Sequence, residues 1–271
     1  MHKLGLLVKL PVEERLKYEE YLLALVKKVS FLIKKSLVIN TIFEEDYKKL
    51  IRIDNDFNSD FENIIKLIES KIAIELNVFL KRITRTAVLT EKFNYKAVEK
   101  SLNGIKKSIP TLRYTKVQGE MKMWVSQNVR LIKTIPEKML MRVEEIVYTA
   151  VRTGLSHKDL SKQLVESFGT SKKRAVIIAR DQINKLNANL TRVRNVELGI
   201  IEYKWSTSID DRVRHSHEVL SEKICSWMDI NIYKNNINDK RWLQRSAISA
   251  TLSNPSQDIL CRCTSIPIIN I

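Results

Sequence analysis

Six glycines and five prolines are very few turn formers for a chain of 271 residues. Tight reversals depend on residues of that kind, so the sequence has to build a small number of long elements, and long elements are helices far more often than strands. The apolar pattern agrees. From Glu13 to about Leu37, apolar residues recur at helical spacing (Leu16, Tyr18, Tyr21, Leu22, Leu25, Val26, Val29, Leu32, Ile33), with Pro11 just before the first turn. A second helix is expected from near Ser59-Asp60 to about Thr84, with the Asn- and Asp-rich stretch 55–59 supplying its cap.

Residues 86–113 are less regular. A short helix over Phe93–Leu102, a stop at Asn103-Gly104 and a domain boundary at Ile109-Pro110-Thr111 are expected there. Further on, the pattern predicts a helix near 114–130, a break at Pro136 and a helix through Val151. A turn over 154–159 then leads to a helix ending at Gly169, and Thr170 or Ser171 caps a longer one from about Lys172 to Leu198. Gly199 closes the helical region. Ile200–Thr207 and Leu260–Ile269 read as strands, joined by loop-like residues. The expected class is therefore α+β: a helical region 1–110, then a domain 111–271 that is helical over 114–198 and α+β over 199–271, with a small sheet and long loops.

Charge narrows the function classes. The formal net charge is +16, and residues 101–200 hold 19 Lys and Arg against 8 Asp and Glu, whereas the first hundred residues are nearly balanced. Lys106, Lys107, Arg113, Lys116, Lys172, Lys173 and Arg174 lie in that basic window and make a candidate footprint for a polyanion, nucleic acid above all. The alternative is a solvated basic surface with no partner. With aromatic content of 7%, the chain does not resemble a single-strand binder. Three cysteines, with Cys225 alone, suggest no disulfide framework and fit synthesis in a reducing compartment. The apolar run at Leu4–Leu10 is short and broken by Lys9, so no export signal or membrane span is expected. No phosphate-binding glycine loop and no G-x-S-x-G occurs, which leaves nucleotide hydrolysis and serine chemistry without support.

Chemistry gathers in the last third. Asp211-Arg212-Val213-Arg214-His215-Ser216-His217 follows Trp205, and Cys261-Arg262-Cys263 follows some forty residues later. Side chains two apart on an extended segment share a face, so Cys261 and Cys263 should point together, as should His215 and His217 if their loop is extended. A disulfide between residues two apart is geometrically poor. Two thiols and two imidazoles would suit zinc, with His215, His217, Cys261 and Cys263 as ligands. The plainer reading is a structural network in which Trp205, Asp211, Arg212, Arg214, His217 and Arg262 hold the long loop, since the arginine fork can satisfy a carboxylate and several carbonyls at once. A third is a metal-dependent nuclease using Asp211, His217, Cys261 and Cys263, with Asp229, Asp239 or Asp258 as further acid.

These residues, with Ala179-Arg180-Asp181-Gln182, Lys185-Leu186-Asn187, the strand from Gly199 to Trp205, Leu220, Lys223, Pro255 and Asp258, resemble the phage Mu F-like head morphogenesis family, minor head proteins of tailed bacteriophages. Asn128–Lys133 and the stretch from Gly154 to Ala175 resemble it too, so about 114–271 is covered. The resemblance implies a non-enzymatic minor capsid component with no certain cofactor. It would lie inside the virion head near the portal, after assembly in the host cytoplasm, and aid head assembly, genome packaging or delivery. Implied partners are the portal protein, a scaffold or major capsid protein, and non-specifically bound double-stranded DNA, with no membrane. Two departures stand out. Glu222 occupies a place where the family usually has Gly, which argues against a positive-φ turn there. The stretch 227–254 lacks the family's Pro- and Gly-rich loop and reads partly as helix over Arg241–Leu252. Residues 1–110 resemble no named family.

Overall fold

The computed structural model describes residues 2–39, 55–102, 109–111, 114–153, 155 and 157–270. Four long helices, α1 (Val12–Ile39), α2 (Asn55–Ser101), α3 (Thr115–Thr153) and α4 (His157–Glu197), precede a small sheet, so the class is α+β as expected. Among the described residues no helix is long and apolar enough to cross a membrane.

Three helices overrun their expected ends. α2 continues through 86–101 because its inward face there is polar: Thr86, Thr90, Glu91 and Asn94 are buried beside Ala87 and Val98, which hydrophobic periodicity does not register. The Asn103-Gly104 stop lies outside the described residues. α3 passes through Pro136, whose missing N–H costs one helical bond. Ile132, Ile135, Met139 and Leu140 are buried around it, and that packing outweighs a penalty of about 3 kcal/mol. α4 passes through Gly169, which costs only about 1 kcal/mol in a helix interior. Thr170 and Ser171 do not cap a new helix; their hydroxyls donate back to the carbonyls of Glu166 and Ser167 at 3.4 and 3.3 Å.

The chain forms two compact units, each assembled from separate stretches. One comprises residues 17–84 and 126–179, and the elements among its described residues are all helices. Its core is aliphatic: Leu22, Leu25, Val26, Val29 and Ile33 of α1, Ile64, Ile65 and Ile68 of α2, and Val143, Ile146 and Val147 of α3 are buried. The Tyr18 hydroxyl donates to Asn128 Oδ1 at 2.8 Å within it.

The other unit comprises residues 1–16, 85–125 and 180–271, and Pro110 falls inside it. At the end of α4, Gly199 takes φ +73°, while Ile200 N–H bonds the Asn195 carbonyl and Gly199 N–H that of Val196. This pattern is the Schellman closure, which needs a left-handed residue at that point. The sheet is antiparallel throughout, in the order β1 (His2–Leu4), β6 (Thr264–Asn270), β2 (Glu202–Ser206), β3 (Ile224–Ser226), β4 (Ile232–Lys234), β5 (Leu243–Gln244). The two expected strands are thus β2 and β6, paired directly. The residues between them supply three more short strands, and the first residues of the chain add an edge strand. Gly5 bonds Pro267 there, and a side chain on Gly5 would meet the Ser101 carbonyl oxygen at 2.4 Å, so the approach requires glycine. The helix expected over 241–252 is one 3-10 turn, Arg245–Ile248, because Arg245 is held inward by carbonyls on either side of the turn.

Glu222 takes φ +63° despite being no glycine. Bonds from Glu222 N–H to the Trp205 carbonyl and from Trp205 N–H to that of Lys223 hold the turn, and Lys204 reaches the Glu222 carboxylate at 2.6 Å. The neighbouring strands over-determine the conformation, so the expected loss of the turn does not occur.

Candidate functional site

Alternation along β2 turns Tyr203 and Trp205 inward, into a cluster with Leu220, Cys225, Trp227, Tyr233, Cys261 and Cys263. His217 stands edge-on to Trp205, with ring centroids 5.8 Å apart. Its Nδ1 faces both thiols, 3.4 Å from Cys261 Sγ and 3.6 Å from Cys263 Sγ, and its Nε2 lies 2.8 Å from Asp258 Oδ2. All three residues are buried. The two cysteines share a side, as an extended segment entering β6 requires, and Arg262 between them turns away to pair with Asp210.

His215 does not join them. Residues His215–Glu218 form a one-turn helix, α5, in which residues two apart diverge instead of sharing a face. The His215 side chain is 81% exposed and lies 3.9 Å from Glu218. This corrects the four-ligand expectation to three donors.

The loop that carries the cysteines is braced from several directions. Asp181 Oδ1 accepts from Leu260 N–H at 2.9 Å, Gln257 donates to Asn189 at 2.9 Å, and the Ser256 hydroxyl donates to the Cys263 carbonyl at 2.8 Å. Ser256 and Leu260 both take left-handed backbone, with φ +63° and +58°. Such strain persists only where surrounding bonds fix it, and here it brackets Asp258. Asp258 also accepts from the Thr251 hydroxyl at 2.9 Å.

Electrostatics follow from this packing. The hydrogen bond from Cys263 and the imidazole of His217 draw the Cys261 thiol down to about 5, while Cys263, which keeps its proton for that bond, is pushed up. His217 is raised, chiefly by its bond with Cys261, against the opposing effect of burial. For Asp258, burial acts to raise the carboxyl, but bonds from Thr251, Ser253 and His217 leave it lowered. In its neutral form, with Nε2–H donating to Asp258, His217 presents its Nδ1 lone pair to the sulfurs, the arrangement that orients metal-binding histidines.

The donor set fits zinc. Tetrahedral bonds of about 2.3 Å to sulfur and 2.0 Å to nitrogen put nitrogen and sulfur about 3.5 Å apart, close to the 3.4 and 3.6 Å found. The three donor atoms all lie within 4.8 Å of one another.

The residues expected to form a holding network divide. Trp205 and His217 meet at the site, while Arg262, between the two cysteines, pairs with Asp210. Arg212 is exposed and pairs with Asp210 at 3.3 Å, and Arg214 donates to the Ile259 carbonyl at 2.7 Å. Asp211 is exposed, and Asp210 takes the place assigned to it, held down to about 2 by Arg262. The long loop is instead held by Arg245, fully buried, which donates to the carbonyls of Ile232, Thr251 and Ser253 and to the Tyr203 hydroxyl, and stacks on Trp205. Nothing in its Gln-Arg-Ser context sets Arg245 apart in the sequence. Asp258 and Asp181 did carry a signal, because both belong to the motif set quoted above. Of the basic residues, Lys106, Lys107 and Arg113 lie outside the described residues. Lys116 pairs with Glu197, Lys172 and Lys173 are exposed, and Arg174 is half-buried against Thr134.

Residues 141–266 match the family model described as Phage Mu protein F like protein. An uncharacterized protein of Haemophilus influenzae is 38% identical over 143 residues, which is 53% of this chain and 28% of that protein. The chain thus spans little more than a quarter of that relative. No solved structure matches the chain significantly. The helix-to-sheet frame, the Asp181 brace and the His217, Asp258 and cysteine cluster all fall inside the matched stretch, so the part of the chain that carries the site is the part that is similar, over residues 141–266, to the Phage Mu protein F like family.

Proposed function

We propose that the protein is a structural minor component of a tailed-phage head, located inside the head near the portal, with a C-terminal fold built around one zinc ion held by His217, Cys261 and Cys263. The Mu F-like domain of residues 141–266 carries this reading. The exposed Lys172 and Lys173, in the basic stretch of the chain, suit non-specific contact with phosphates of packaged DNA. A nuclease would need free carboxylates beside the metal donors. Asp258 is engaged by His217 and Thr251, and Asp211 is exposed, which favours architecture over catalysis.

Elemental analysis of the purified chain should find about one zinc per molecule, absent from Cys261→Ser/Cys263→Ser. With zinc at a thousand times its dissociation constant, chelation should cost the wild type about 4 kcal/mol of stability and the double variant almost nothing. Mass spectrometry of purified particles should find the protein in heads. Its absence from particles, or metal-dependent plasmid cleavage that disappears in His217→Ala, would overturn the structural role.

A further inference from the structure

The three donors form part of the wall of a pocket of about 230 Å³, whose lining also includes Arg180, Arg212, Arg214, Arg262 and Ser208. Four arginines and no carboxylate line it; of the acids close by, Asp210 pairs with Arg212 and Arg262, Asp258 with His217, and Asp181 with Lys185. Arg214 is tied by a single bond to a carbonyl, and Arg180, half-buried, makes no ion pair among the described residues. Among the residues that line the pocket, positive charge is in excess. Like charges drawn to one concave place repel unless an anion shares the space, and N–H groups not used by protein acceptors remain to bind one. The planar fork of arginine matches phosphate oxygens in paired bonds.

We propose that this pocket binds a phosphomonoester, the terminal phosphate of a DNA 5′ end or of a nucleotide. Size decides between a terminal group and a backbone track: a duplex running past the protein needs a long groove, whereas these arginines line one small concavity, with Arg212 and Arg214 exposed. A monoester near neutral pH also carries close to two negative charges, against one for a backbone diester. The inference goes beyond the head assignment and does not need it, and the pocket shares its wall with the three zinc donors.

The test is calorimetric titration of the full-length chain with a DNA hairpin whose single duplex end carries either a 5′-phosphate or a 5′-hydroxyl, at a salt concentration that suppresses backbone binding. The phosphorylated end should bind at least about ten-fold more tightly, the loss expected for one charge-assisted hydrogen bond. Inorganic phosphate should compete with it, and Arg180→Gln should abolish the difference. Arg214→Gln, at an exposed position, carries the same test if Arg180→Gln fails to fold. A mononucleotide that competes as well as the hairpin end identifies the free nucleotide as the source, and weaker competition identifies the DNA end; either supports the pocket. Equal affinity for the two hairpins, or a preference that survives both substitutions, overturns it.

Discussion

The two units solve the same packing problem with different materials. Among the described residues, the helical unit of 17–84 and 126–179 buries polar side chains at Ser36 and Asn128, within an aliphatic core. The other buries Glu91, Asn94, Asp181, Asn187, Thr191, Arg194, His217 and Arg245, among others. Asn94 donates to Asn187 and Thr191, and Arg194 joins Glu91, Asn94 and the Pro110 carbonyl. An aliphatic core needs only suitable volume and shape. A buried polar one specifies a partner for each group, and each group left unpaired is costly.

The contrast breaks most clearly at Arg194. Arg194→Ala strands Glu91 and should destabilise the chain by about 3–5 kcal/mol in urea unfolding, while Leu25→Met in the aliphatic core should cost less than about 1.5 kcal/mol. Arg194→Met with Glu91→Leu should recover most of the loss. Comparable costs for Leu25→Met and Arg194→Ala would remove the distinction. A pH series sharpens it next. Burial pushes the Cys225 thiol up to about 11, so the folded state favours the neutral form; that stability is complete below the ordinary thiol range and is lost as pH rises through 11. Relative to Cys225→Ala, the wild type should lose about 2 kcal/mol between pH 8 and 11, and parallel curves would mean that the thiol ionises without cost. The smallest effect is local. Glu222→Gly should relieve the left-handed backbone and raise stability by about 1 kcal/mol, at the expense of a surface pair with Lys204 worth little; a lower midpoint would show that the pair matters more than the strain.

The sequence revealed the fold class through scarce turn formers and helical periodicity, and it revealed β2 and β6 through β-branched and aromatic runs. Its errors share a cause. Pro136 and Gly169 are local signals worth about 3 and 1 kcal/mol, and burial of the residues around them is worth more. The polar face of α2 near Asn94 was invisible because apolar period is the only face that a hydrophobic pattern can report. At the site, the spacing of Cys261 and Cys263 predicted their common direction, because the segment is extended. The same rule failed for His215 and His217, because a single helical turn replaces the period of two. Arg245 left no trace: its burial depends on carbonyls of residues 232, 251 and 253, which meet only after the loop has closed.

The edge strand β1 has a consequence for how the chain matures. Its partner is β6, so residues 2–4 are paired with residues 268–270. On the ribosome residues 2–4 must wait for residues 268–270 before they can pair, and the cysteine-bearing segment arrives with β6. The aliphatic unit draws on nothing beyond residue 179 and has its whole sequence available earlier. Contacts of such long sequence separation are the slow ones to form, so closure of the sheet, and with it assembly of the His217 cluster, comes after the aliphatic unit has its chain.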